Sequence, residues 1–128
     1  MGIFYIEGTV VNVRQPARSV LVPKLLVDSG SELTWIPEPA LKQARIKVAK
    51  KDAPFMMANG QTITRSTGYA ILRAAGFETI DEVVFGQPGD LALLGARTLE
   101  GFGATIDPAR KRLVAAGPRP AAAAVPSP

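Results

Sequence analysis

Residues 28–30 read Asp-Ser-Gly, and they end a run, residues 20–27, that is almost continuously apolar apart from Lys24. A buried strand that stops abruptly at a polar loop carries a carboxylate to a surface where water is available. Gly30 permits a tight turn and close backbone approach, and Ser29 can hydrogen-bond locally and hold the loop in place. This setting suits activation of a water molecule, but a single carboxylate cannot supply both the acid and the base. Two carboxylates about 3 Å apart can, because they cannot both ionise and therefore share a proton. The ionised partner then takes a proton from water while the protonated one polarises an amide carbonyl.

Composition leaves catalysis to carboxylates, lysine, tyrosine or hydroxyls. The chain has neither histidine nor cysteine. The usual general base and triad member is therefore missing, and so are disulfides, thiol nucleophiles and thiolate metal sites. No metal or organic cofactor is expected. The lack of cysteine suits a reducing cytoplasm. No apolar run approaches the roughly 20 residues of a membrane span, so no membrane partner is expected. The net charge is +4, with Lys42, Arg45, Lys47, Lys50 and Lys51 clustered. A nucleic-acid binder would use such a cluster, but aromatic residues are only 6% of the chain, and a solvated basic face is the preferred reading. No nucleic-acid partner is expected.

The elements that must position Asp28 follow from patterning. The 128 residues suffice for one domain, expected over residues 1–116. Residues 117–128 are rich in proline and alanine and are expected to form a disordered tail. Residues 2–13, 20–27, 33–36, 55–58, 61–72, 78–85, 91–94, 104–106 and 112–115 read as strands. Short helices are expected at 40–44, after Pro37-Glu38-Pro39, and at 96–100, stopped by Gly101. Asn59-Gly60 predicts a hairpin with a type I′ turn, and Gly68 a bulge. Many short strands and two very short helices predict an all-β barrel or sandwich. Residues 25–30 and 91–95, each followed by a short helix, echo one another as two halves about a pseudo-twofold axis.

Three features in this order carry a family resemblance: Leu25-Leu-Val-Asp-Ser-Gly30, the hairpin around Asn59-Gly60, and Leu93-Leu-Gly-Ala96. Over about residues 4–114 the chain resembles the retropepsin-like (clan AA) aspartic proteases, especially their small single-domain bacterial members. The resemblance implies an all-β, closed acid-protease barrel with one lobe per chain and an aspartic endopeptidase activity. It makes Asp28 the catalytic aspartate, Ser29 the hydroxyl residue that bonds across a dimer beneath the paired aspartates, and Gly30 the motif glycine. Ser31 and Met57 are expected to line the substrate groove. Ala58, Asn59, Gly60 and Gln61 fall near the tip of a flap over a peptide or protein substrate, and Leu94 and Gly95 lie behind the catalytic loop. Since 28–30 is the only such motif, the second aspartate must come from a second copy, as a twofold homodimer provides. The chain departs from the viral pattern in having Ala96 where an arginine is usual, with Arg97 one position later and Glu32 as its expected partner. It also has a flap with Gly60 alone.

Three other readings compete. A catalytically inactive dimeric module of the same fold would bind an extended peptide by strand addition. Lys24 with Ser29 or Ser31 would imitate a Ser-Lys hydrolase, with no oxyanion-hole signature beside it. Residues 28–30 also suit a plain turn.

Overall fold

A computed structural model describes residues 3–122. The described chain is mostly β, with two short helices, as the sequence predicts. In order it runs β1 (Tyr5–Val11), β2 (Ser19–Val27), β3 (Thr34–Pro37), α1 (Glu38–Gln43), β4 (Lys50–Met56), β5 (Thr62–Ala74) and β6 (Phe77–Gly86). It then continues through β7 (Leu93–Leu94), α2 (Ala96–Phe102), β8 (Ala104–Asp107) and β9 (Arg112–Ala115). Seven strands form one sheet in the order β1-β2-β7-β3-β6-β5-β4, while β8 and β9 form a separate hairpin. Strand β1 also pairs with β5, through Gly8–Ala74 to Val11–Ile71, so the pairings lead from β1 round to β1 again. No described helix is long and apolar enough to cross a membrane.

The core collects the inward faces of these strands and one side of each helix. Val10, Val22, Ile36, Val83, Phe85 and Leu94 are almost wholly buried. Full burial of a ring such as Phe85 contributes roughly 3 kcal/mol. Strand β2 is not buried on both faces as its apolar run predicts, because Leu21 is exposed and Pro23 and Lys24 also face out. The β1–β2 register shifts between Ile6–Leu25 and Gly8–Val22, so Pro23 sits where the ladder is already broken and its missing N–H costs little. A Cβ at Gly8 would lie 2.7 Å from Leu25 Cδ1, so the glycine leaves room for that side chain.

Turn chemistry departs from expectation at Gly60 and Gly68. Gly60 has φ 83° but Asn59 is not in the left-handed region, so the β4–β5 turn is not type I′. Gly60 N–H donates to Met57 O (2.9 Å) and Met57 N–H to Gln61 O (2.8 Å), the pattern of a three-residue loop with glycine as its bulge. The two-residue turn with both positive angles is Ala75-Gly76 (φ 52° and 84°), which joins β5 to β6. Gly68 lies in unbroken β5–β6 register, and the irregularity is in β4 between Lys50 and Ala53. Gly68 is instead a close approach, since a Cβ there would meet Lys47 O at 2.5 Å.

Both helices are bounded differently from the sequence prediction. Helix α1 starts at Glu38 and closes with Ile46 N–H to Leu41 O and Arg45 N–H to Lys42 O, with Arg45 at φ 59°. Those are the two bonds of a Schellman stop. Helix α2 runs through Gly101 to Phe102 and ends at Gly103 (φ 67°). Gly101 has another task, since a Cβ there would lie 2.4 Å from Thr79 Oγ1. Of the tail expected from residue 117, residues 123–128 lie outside the described residues. The described part forms no strand or helix, and Arg119 donates to the carbonyls of Glu100 and Gly101 at the end of α2.

Candidate active site

Asp28 is held from both sides at the end of β2. Strand β2 runs parallel to β7, with Leu26 opposite Leu93 and Val27 opposite Leu94. On the other side Val27 N–H donates to Phe4 O, and the ladder ends where Asp28 N–H donates to Leu94 O at 3.0 Å. Beyond it the backbone turns sharply. Gly30 N–H donates to Asp28 Oδ1 (2.9 Å) and Ser31 N–H to Asp28 O (3.3 Å), so the carboxylate organises its own loop. Asp28 is half-buried, whereas Ser29 and Gly30 are exposed. Asp28 forms part of a cleft of about 290 Å³ with Phe4, Val27, Ser29, Ile106 and Pro108. A wider groove of about 640 Å³ meets this cleft at Ser29, Ile106 and Pro108, and extends over Ala96, Leu99 and Arg119.

The loop after Asp28 is stitched to the start of α2. Ala96 N–H donates to Ser31 O (2.7 Å) and Arg97 N–H to Glu32 O (3.0 Å), so loop carbonyls satisfy helix N–H groups that have no partner within the helix. The Ser31 hydroxyl donates to Leu33 O (2.8 Å). Gly95 N–H donates to Thr34 Oγ1 (3.0 Å). The structure thus brings Asp28, Ser29, Gly30, Ser31, Leu94 and Gly95 together. The expected Arg97–Glu32 ion pair is replaced, because the Arg97 guanidinium lies 3.5 Å from Asp81 and 3.7 Å from Glu82.

The hairpin of β4 and β5 approaches this group through its apolar base. Phe55, Met57 and Ile63 pack on Leu33, Trp35, Val84 and Leu93, with the Phe55 and Trp35 rings edge to face at 5.3 Å. Met57 is half-buried there while Met56 is 78% exposed, so only one of the pair packs inward. Ala58, Asn59, Gly60 and Gln61 form the exposed tip, where Asn59 Oδ1 accepts from Gln61 N–H (2.9 Å).

Several polar residues were not singled out from sequence. The Thr34 and Thr98 hydroxyls lie 2.6 Å apart, and Thr98 donates to Asp81 Oδ2 at 2.9 Å, all within the core. Neighbouring Glu82 accepts from Thr67 (2.7 Å) and from Lys50. Burial alone would raise the Glu82 carboxyl, but hydrogen bonds from Thr67 and Lys50, with the charges of Lys50 and Arg97, hold it below its ordinary value. The available signal was Asp81-Glu82 preceding the apolar Val83-Val84-Phe85, a costly place for charge unless it is partnered. Farther along, Arg65 grips Asp90 with two hydrogen bonds (2.7 and 2.9 Å), tying β5 to the loop before β7.

Some of the basic residues make local contacts. Lys24 Nζ lies over the Tyr5 ring at 4.5 Å from its centre, a cation–π contact. In the basic cluster, Lys42 pairs with Glu38 and Lys50 with Glu82.

No family model matches the chain, and no curated protein matches it. Among solved structures it is similar to the foamy viral protease-reverse transcriptase in complex with an RNA/DNA hybrid, at 20% identity and a TM-score of 0.48. The match covers 74% of this chain and 12% of that one, so the chain spans about an eighth of the viral polypeptide.

Proposed function

We propose that the chain is one half of an aspartic endopeptidase, a homodimer in which the Asp28 of each copy meets at the twofold axis and the pair activates water against a peptide bond. The observation that carries this reading is the placement of Asp28. It is a half-buried carboxylate at the end of a strand paired on both edges, fixed by its own loop, and it opens into a cleft. The ring of pairings from β1 back to β1 supports the finer reading of a closed acid-protease barrel. The β4–β5 hairpin packs by its base on β3 and β7, the strands that flank the Asp28 loop, which suits a flap over an extended peptide or protein. Ser29 takes the role of the hydroxyl at the dimer axis, and Met57 and residues 58–61 those of the flap.

The test is cleavage of a mixed peptide library from acidic to neutral pH, which takes in the acidic range where paired carboxylates share a proton. The wild-type protein cleaves, and Asp28→Asn cuts at a rate lower by about 10³-fold or more. Equal cleavage by both proteins rejects the assignment. Peptide binding without cleavage by either replaces it with a peptide-binding module.

A further inference from the structure

We propose that a buried hydroxyl chain, Thr34 and Thr98 ending on the Asp81 carboxylate, positions the Asp28 loop through the peptide unit that joins Leu94 to Gly95. The proposal rests on the reading of Asp28 as the reacting carboxylate. One peptide plane joins the two groups. Its carbonyl, on Leu94, accepts the Asp28 N–H at 3.0 Å, and its N–H, on Gly95, donates to Thr34 Oγ1 at 3.0 Å. A peptide unit is rigid, so tilting it to lose one of these bonds loses the other. The orientation of Thr34 is therefore coupled to the backbone of Asp28.

The hydroxyl directions are fixed by elimination. Thr98 has one hydrogen and gives it to Asp81 Oδ2 at 2.9 Å, so the 2.6 Å contact between Thr34 and Thr98 uses the hydrogen of Thr34. A single ordered chain results, from Gly95 N–H to Thr34, from Thr34 to Thr98, and from Thr98 to the Asp81 carboxylate. Thr34 and Thr98 are fully buried and Asp81 is 8% exposed, so bulk water has little access to these groups. Asp81 is itself anchored, since its Oδ1 accepts the Glu82 N–H at 2.7 Å. The Arg97 contact is solvated on its outer side and adds less. Without Asp81 as terminal acceptor, the hydroxyls can turn, and the Gly95 N–H loses an oriented acceptor in a dry site.

The experiment compares Thr34→Val and Thr98→Val, which keep shape but remove a hydroxyl, with Thr34→Ser and Thr98→Ser, which keep it. Readouts are kcat and KM for peptide cleavage, and hydrogen exchange at the Gly95 and Asp28 amides. The valine variants are expected to lose about tenfold or more in kcat with KM changed by less than about threefold, and to exchange about tenfold faster at both amides. The serine variants stay near wild type in both readouts. A residue that merely adds stability lowers the unfolding midpoint without splitting kcat from KM. Wild-type kcat and exchange in the valine variants overturn the proposal, as do serine variants that lose as much as valine. If the valine variants do not fold, the serine variants decide alone: wild-type behaviour upholds the hydroxyl chain and lost activity refutes it. If the wild-type protein cleaves nothing, the reading of Asp28 fails separately, and amide exchange alone decides whether the chain positions the loop.

Discussion

Gly95 lies so close to Leu33 that a Cβ at residue 95 would stand 2.4 Å from the Leu33 carbonyl oxygen and 2.9 Å from that of Ser31. Both obstacles are backbone, so neither can swing aside. Gly95→Ala is therefore expected to lower unfolding free energy by about 2–4 kcal/mol, in the range for forced backbone displacement in a packed site. Urea titration checks this, and a cost below about 1 kcal/mol would mean that the two segments part easily.

Ala75 holds φ 52° at the first position of the β5–β6 turn, where a Cβ is unfavourable. Left-handed backbone costs an L-residue about 1–2 kcal/mol, while glycine adds roughly 0.4–1 kcal/mol of unfolded-state entropy. The first effect is larger. Ala75→Gly should stabilise the protein by about 0.5–1 kcal/mol, read as a raised denaturation midpoint.

The Arg65–Asp90 pair sets an acid limit. The Arg65 hydrogen bonds hold the Asp90 carboxyl below its ordinary value against the opposing effect of burial, and the Gln87 N–H assists. A carboxyl depressed in the folded state stabilises the fold above its unfolded value near 3.8, and that stability is lost as pH falls through the folded value. Asp90→Asn should cost about 1–3 kcal/mol at neutral pH, since both side chains are largely buried. The gap between variant and wild type should narrow below about pH 4.

Trp35 is the only tryptophan, and its partner Phe55 lies on the β4–β5 hairpin. Emission from Trp35 therefore reports on the base of that hairpin. Phe55→Ala should red-shift the emission and cost about 2 kcal/mol through lost burial and ring contact. Unshifted emission would mean that the hairpin base does not cover the ring.

Much of this architecture was legible because local signals agreed with tertiary demands. The alternation in residues 2–13 and the polar break at Asp28-Ser29-Gly30 each fixed an element to within a few residues. Glycines misled where their cause was tertiary. Gly68 and Gly101 make room for Lys47 and Thr79, which are distant in sequence, so they read as a bulge and a helix stop. The type I′ turn went to Asn-Gly rather than Ala-Gly because alanine pays a strain at positive φ that only the strands on either side can impose. Of the candidate site, the Asp28 loop and its Leu94-Gly95 brace were visible as motifs. The Thr34–Thr98–Asp81 chain was not, because it joins three elements and each residue alone is ordinary.

The central claim is that each chain supplies half a site, and subunit mixing tests it most directly. Wild-type protein and Asp28→Asn are unfolded together in equal amounts, refolded, and assayed for peptide cleavage. If both aspartates of a pair are needed, only dimers with two wild-type copies act, and random pairing leaves about one quarter of the activity of the same total amount of wild-type protein. Retention of about one half, with activity linear in the wild-type fraction, would mean that each Asp28 acts alone and would contradict the shared site.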